Sequence, residues 1–282
     1  MSIPKKIHYC WFGGQKMPMI LQNCIQTWKK TMPDYQIICW NEDNFIINDS
    51  IPFVKEAYQA KAWAFVADYA RLEILYKHGG IYFDTDVIAI KPFDDFLGND
   101  FFSGIEYHKR IIDVDKTWEN LNDDGTKKYQ ADKRISGIGI LCAIMGAAAG
   151  HMFINDCIDF YNNQRFILPD GGYNKMINME VLAKLAYEKY GFRYKNALQK
   201  CEYGNMIFYP SKVLAGEVEE FRTDSYALHY CELSWTEKNL RNWLWRKLRM
   251  CNLARIIYGK KPCKKPKQII KEVLGKNKKT IA

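Results

Sequence analysis

The sequence predicts an α/β fold, and three observations carry that expectation. Lys6 to Phe12 (KIHYCWF) and Tyr35 to Trp40 (YQIICW) are short runs rich in strand-forming residues. Met19 to Trp28 lies between them and has helical character, and strand, helix and strand at this spacing make a parallel α/β unit. The third observation is the stretch from Ala64 to Pro92, a helix that stops at Gly79-Gly80 and gives way to a buried strand.

In chain order, Gly13-Gly14 ends the first strand and Met32-Pro33-Asp34 ends the first helix. Asn41-Glu42-Asp43 follows the second strand, and Ile51 to Gln59 is a further helix. In the helix from Ala64, Phe65, Val66, Leu72 and Leu75 recur at helical spacing with Tyr69 between them. Asp68 and Arg71, three apart, project from one face of that helix. Ile81-Tyr82-Phe83 reads as a strand ending in Asp84-Thr85-Asp86. On an extended backbone, residues two apart share a face, so the two carboxylates are expected to point the same way.

Adjacent carboxylates repel, and the repulsion is relieved by a shared proton or a bound metal. At the end of an apolar strand the expected partner is a hard divalent cation, Mn2+ or Mg2+, held by one or two carboxylates and by phosphate oxygens of a substrate. Asp113-Val114-Asp115 repeats the spacing without a preceding strand, and is expected to be a solvated loop. Phe93 to Phe101 turns the chain, and Tyr107 to Arg134 is polar and long enough for a lid or a binding loop. A strand is expected over Ile138 to Met145 and helices over His151 to Asn162 and Met179 to Tyr190. Short strands are expected over Met206 to Pro210 and Tyr226 to Tyr230.

With 282 residues, 48% of them hydrophobic and 26% charged, the chain can bury one sizeable core. Nine cysteines, scattered and without a C-x-x-C pair, argue for a reducing, cytoplasmic setting and against a disulfide framework or a zinc site. MSIPKKIHYCWFGG does not read as a signal peptide. The longest apolar run, Ile135 to Ala149, is interrupted by Ser136 and three glycines, and is shorter than the ~20 residues a spanning helix needs.

Charge divides the chain in two. Residues 238–282 hold fifteen Lys/Arg and one acid, Glu272, a net +14 within a chain of +9, which leaves residues 1–237 at −5. A mildly acidic body argues against a nucleic-acid partner. The expected organisation is a catalytic domain over 1–237 and a basic tail over 238–282. Leu240, Trp243, Leu244, Leu248 and Ile256 mark an apolar side of the tail, with Trp245 near its edge. A basic amphipathic helix with tryptophan points to an anionic membrane surface, hence to peripheral association with the inner face of a membrane.

Trp63, Asp68 and Arg71 in the spacing W-x-x-x-x-D-x-x-R, followed by Gly80 to Asp86 as G-I-Y-x-D-x-D, resemble the core of the DXD-containing glycosyltransferases. In particular they resemble glycosyltransferase family thirty-two, which includes yeast Golgi mannosyltransferases and bacterial capsule enzymes. A related glucosyltransferase domain occurs in the large clostridial toxins. The resemblance implies a GT-A type, Rossmann-like nucleotide-sugar-binding domain with a mixed, mostly parallel central sheet. It also implies transfer of a hexosyl group, with retention of configuration, from a nucleotide sugar to a glycan or lipid-linked acceptor in surface polysaccharide synthesis. UDP-galactose and UDP-glucose are the favoured donors by family habit.

By the same resemblance, Asp68, Arg71, Asp84 and Asp86 are the catalytic set. His8, Tyr9, Trp11 and Thr85 would belong to the nucleotide side, with Trp11 either stacked on the base or a core tryptophan at the strand end, His8 at the base edge or in the core, and Tyr82 either reaching the diphosphate or packed in the core. Ser234 and Trp235 form a closing motif over the donor. Asp86 is expected to touch the metal directly because it lies further past the strand, with Asp84 toward ribose and sugar hydroxyls and in metal contact through water. His229 is the candidate third ligand if the last strand runs beside this one, and Glu232 stands behind it.

Two other readings remain open on the residues alone. A strand followed by D-x-D also resembles the first motif of haloacid-dehalogenase-like phosphatases, with Asp84 as a nucleophile forming an aspartyl-phosphate. Against it, Ile88 stands where that motif has Thr or Val, and no convincing downstream lysine and acidic pair follows. The other is a non-catalytic sugar- or membrane-binding module.

Overall fold

A central sheet of seven strands runs in the order β2-β1-β3-β6-β5-β8-β7. The computed structural model describes residues 2–128, 134–174, 176 and 178–230. Strands β1 (Lys6–Cys10), β2 (Gln36–Trp40) and β3 (Gly80–Phe83) pair in parallel, with Ile7 opposite both Ile37 and Ile81. Between them come α1 (Met19–Thr31), α2 (Pro52–Gln59) and α3 (Trp63–His78). β6 (Ile138–Ala147) runs antiparallel to both β3 and β5 (Phe101–Tyr107). β8 (Met206–Tyr209) is parallel to β5, and β7 (Gln199–Cys201) closes the edge antiparallel. Five strands therefore point one way and two oppose them, which is the mixed, mostly parallel sheet that the resemblance implies.

A second sheet of three short strands has the order β4-β10-β9: β4 is Val87–Ala89, β9 Leu214–Ala215 and β10 Ala227–His229. Helices α4 (Lys109–Val114), α5 (Met152–Asn162) and α6 (Asn178–Tyr190) complete the described elements. One core lies between the main sheet and helices α2, α3, α5 and α6, and contains Phe53, Leu72, Tyr82, Phe153 and Leu182. The other, with Trp28, Phe83, Phe93 and Phe102, packs α1 and the small sheet on the opposite face.

The passage from α3 into β3 follows from two glycines. Gly79 ends the helix at φ 58° with its N–H on Leu75 O, and Gly80 continues at φ 111°. A Cβ on Gly80 would lie 2.8 Å from His8 Nε2 and 2.9 Å from Lys6 O, so only glycine lets β3 start this close to β1.

Three local expectations are corrected. Asp84-Thr85-Asp86 does not continue the strand: β3 ends at Phe83, and a turn closed by Val87 N–H on Asp84 O (3.0 Å) leads directly into β4. Asp113-Val114-Asp115 is not a loop, because its first two residues end α4. Residues 107–134 are not a bare lid: the described part holds the end of β5, helix α4, a 3-10 turn over Thr117–Asn120 and a bridge between Leu121 and Lys127.

Candidate functional site

β1, β2 and β3 all finish at the same edge of the sheet, where Trp11 N–H bonds Trp40 O (2.8 Å) and Asp84 follows Phe83. In parallel α/β sheets the crevice outside the strand carboxyl ends is where ligands bind. Just below this edge α3 supplies Arg71, only 5% exposed. Its Nη2 lies 2.8 Å from Asp68 Oδ1 and 3.4 Å from Asp84 Oδ1, Nη1 donates to Cys142 O (2.8 Å), and Nε donates to Ala67 O (3.2 Å). The guanidinium also sits 4.7 Å from the centre of the Tyr82 ring. Burial works against its charge, but Asp84, Tyr82 and Asp68 outweigh that and hold its pKa well above the ordinary range. Burial raises the Asp68 carboxyl above its usual value, and Arg71 opposes it. The pair is therefore a buried hub with planar, multi-donor geometry, not a surface i,i+3 contact.

Asp84 is held from two sides, because Tyr82 Oη donates to the same Oδ1 (3.0 Å) that faces Arg71. Asp68 is likewise held by Asn178 Nδ2 (3.1 Å) at the start of α6, and Asn178 Oδ1 accepts from Tyr161 Oη (3.2 Å). Sequence reasoning missed Asn178, Tyr161 and the Cys142 carbonyl. Asn178 and Tyr161 carry no motif spacing that would serve as a signal. A carbonyl acceptor leaves none.

The turn after Asp84 carries Asp86 into the small sheet. α1 fixes β4 there: Trp28 Nε1 donates to Val87 O (2.7 Å), and Ala89 N–H donates to Thr27 Oγ1 (3.0 Å). β10 runs antiparallel beside β4 with His229 opposite Val87, and Tyr230 N–H bonds Asp86 O (2.9 Å). The last strand thus does lie next to the D-x-D segment. His229 Nε2 comes to 3.2 Å from Asp86 Oδ1, and ligand atoms of Asp84, Asp86 and His229 all fall within 4.8 Å of one another. Two carboxylates and one imidazole suit a divalent cation, and because they come from two separately anchored strands their convergence is a product of the fold. The expected order of exposure is reversed, since the Asp84 side chain is 28% exposed and that of Asp86 13%. The turn, which folds Asp86 back against β10, is the reason.

The nucleotide-side residues divide. Trp11 is half-buried at the edge, its Nε1 on Gln15 O (2.6 Å), and Thr85 lies in the turn. His8 is fully buried: Nε2 meets Gly79 O (2.8 Å) and Nδ1 accepts from Trp40 Nε1 (3.0 Å). Tyr82 is also buried, with its hydroxyl on Asp84, so both sit beneath the crevice instead of facing it, as a period-2 strand packed on both faces requires. Tyr9 packs edge-on against Trp28 on the opposite face. Glu232, Ser234, Trp235 and the tail lie outside the described residues.

Residues 18–102, from α1 through the D-x-D turn to the start of β5, match the glycosyltransferase sugar-binding region containing the DXD motif. The chain carries that region. The match is to a transferase region and includes Asp68, Arg71, Asp84 and Asp86. An uncharacterized glycosyltransferase, L373, of Acanthamoeba polyphaga mimivirus is 37% identical over 105 residues, 36% of this chain and 42% of that protein. The initiation-specific alpha-1,6-mannosyltransferase of Candida albicans is 30% identical over 105 residues, 34% of this chain and 27% of that one. The chain thus spans less than half the length of either relative. Among solved structures, the galactosyltransferase LgtC in complex with donor and acceptor sugar analogs aligns over 89% of this chain and 96% of its own, at 12% identity and a TM-score of 0.42.

Proposed function

We propose that the chain is a metal-dependent, retaining glycosyltransferase that moves a hexosyl group from a nucleotide sugar, UDP-linked by preference, to a glycan or lipid-linked acceptor. The convergence of Asp84 and Asp86, inside the DXD region, with His229 from β10, beside the buried Arg71–Asp68 pair, carries this reading. Asp84, Asp86 and His229 would hold Mn2+ or Mg2+, which when bound neutralises charge developing on a leaving diphosphate.

The chain's own residues orient the donor. Arg71 presents a fixed positive charge under the crevice. Asp68 commits Oδ1 to Arg71 and Asn178, and its other oxygen would be the one to accept from a sugar hydroxyl. Trp11 at the end of β1 offers an aromatic face to a base. The names of the relatives add mannose to glucose and galactose as candidate sugars.

The experiment is a panel of nucleotide sugars, UDP-glucose, UDP-galactose and a nucleotide-linked mannose among them, incubated with Mn2+ and no acceptor. Slow hydrolysis of one donor, abolished by chelator, is the expected outcome. No hydrolysis of any donor, together with no metal-dependent nucleotide binding, would sink the reading.

A further inference from the structure

The pairing of β5 with β6 is interrupted at one place. Ser103 faces Met145, yet Ile105, two residues on, faces Ile140. One residue of β5, Gly104, thus lies opposite four of β6, Leu141 to Ile144, which bulge out of the β5–β6 ladder while Ile144 stays paired with Phe83 of β3. A bulge of this size leaves backbone carbonyls without their ladder partners, and buried carbonyls need donors.

Each of the four finds one, from Ser103, Arg71 or Asp84. Ser103 is fully buried, and its hydroxyl proton is shared between Leu141 O (2.8 Å) and Ile144 O (3.1 Å), the two ends of the excursion. The same oxygen lies 3.4 Å from Gly104 O. The two middle carbonyls serve the candidate site: Cys142 O accepts from Arg71 Nη1 (2.8 Å), and Ala143 O accepts from Asp84 N–H (2.9 Å), one rung beyond Phe83 opposite Ile144 in the β3–β6 ladder. One buried hydroxyl pinches the ends of the bulge, and the arch it creates receives the guanidinium and the backbone of the first D-x-D aspartate.

We infer that Ser103 is a positioning residue for Arg71 and Asp84, acting through the β6 bulge. This rests on the reading of Arg71 and Asp84 as donor-site residues. Ser103 touches neither of them. Without its hydroxyl the ends of the bulge lose their shared donor, and the arch relaxes toward a register in which Cys142 O and Ala143 O no longer face α3 and β3. Outer partners of this kind commonly change affinity or activity by roughly 10- to 100-fold when removed.

The test uses Ser103→Ala, Ser103→Thr, which keeps the hydroxyl, and a core truncation far from the bulge, Ile3→Val, as the measure of lost stability alone. The first readout is amide hydrogen exchange. The Asp84 amide is expected to exchange about tenfold faster in Ser103→Ala, with β1 amides such as Tyr9 unchanged and Ser103→Thr close to wild type. The second readout is donor hydrolysis, expected to fall by about tenfold or more in Ser103→Ala and to recover in Ser103→Thr. An Asp84 amide disturbed no more by Ser103→Ala than by Ile3→Val would overturn the inference. If Ser103→Ala does not fold, Ser103→Cys, a weaker donor in the same space, takes its place with the same two readouts. A wild-type protein that hydrolyses no nucleotide sugar would count against the transferase reading alone, and the exchange result would still decide the role of Ser103.

Discussion

Arg71 shows why one side chain can belong both to the core and to the site. It is surrounded by Asp68, Asp84, the Tyr82 ring and the Cys142 carbonyl, and its charge compensates two carboxylates that water screens only partly. Arg71→Met removes that compensation and is expected to destabilise the fold by about 3–5 kcal/mol, measured by urea unfolding. Arg71→Lys keeps the charge but cannot bond Asp68, Cys142 and Ala67 together, so it should fold and still lose most donor hydrolysis. Full hydrolysis by Arg71→Lys would return this residue to a purely structural role. The candidate metal trio behaves differently, because Asp84 and Asp86 repel each other, so removing one carboxylate relieves repulsion as well as losing a contact. Asp86→Ala is expected to abolish Mn2+-dependent nucleotide binding in calorimetry while leaving the protein folded. His229→Ala should weaken that binding less. Asp86→Ala that binds nucleotide with an undiminished Mn2+ dependence would end the metal assignment.

At the scale of elements, what the sequence made legible is what periodicity encodes. α3, with its glycine stop, and β1, β2, β3 and β6 can be read because their apolar spacing is local. The short strands β4, β7 and β9 were not legible: two or three residues carry no period, and what makes them strands is a partner far along the chain, such as Ala227 opposite Ala89. β5 was hidden differently, since Phe101 to Tyr107 is buried at nearly every position and so shows no alternation. In the site, the carboxylates were legible from spacing, but the turn that converges them was not, because it depends on α1 anchoring β4.

Two histidines give the elements opposite pH responses. His108, after β5, has Nε2 on Glu106 (2.8 Å) and Nδ1 on Glu217 (2.8 Å), which ties that strand end to the segment after β9. Burial works against its charge, yet the two carboxylates raise its pKa to about 10 from an ordinary 6.5. Its contribution is fully present below pH 6.5 and is lost as pH rises through 10. Burial beside Gly79 instead lowers His8 to about 4, so the folded state resists a proton that the unfolded chain accepts, and stability falls as pH drops from 6.5 toward 4. Urea midpoints measured against pH are expected to decline on both limbs. His108→Gln should flatten the alkaline decline and leave the acid one; an alkaline slope unchanged by that variant would show that the imidazolium is not bound this way.

At the scale of the whole molecule the notable quantity is the split of charge: −5 over residues 1–237 and +14 over residues 238–282. Among the described residues no helix is long and apolar enough to cross a membrane. The basic segment lies outside those residues, and its charge and composition are what bear on a membrane. Each Lys or Arg near an anionic leaflet is worth on the order of 1 kcal/mol, and the attraction fades over a Debye length of roughly 8 Å at physiological salt. Fifteen such residues need only partial engagement to hold a protein at the surface, while an acidic body would be repelled and kept facing the aqueous side. If the proposed function holds, a lipid-linked acceptor would then meet the protein in two dimensions, which raises its effective concentration without any new contact. Deletion of residues 259–282 removes nine of the fifteen cations and should lower sedimentation with vesicles containing phosphatidylserine. Binding of the full chain should weaken steeply as salt is raised, and neutral vesicles should bind little. Donor hydrolysis in solution should be the same with and without the segment, because the DXD region ends at residue 102 and the candidate metal ligands at His229. Equal sedimentation of the two proteins on anionic vesicles would refute the membrane role and leave the transferase reading untouched.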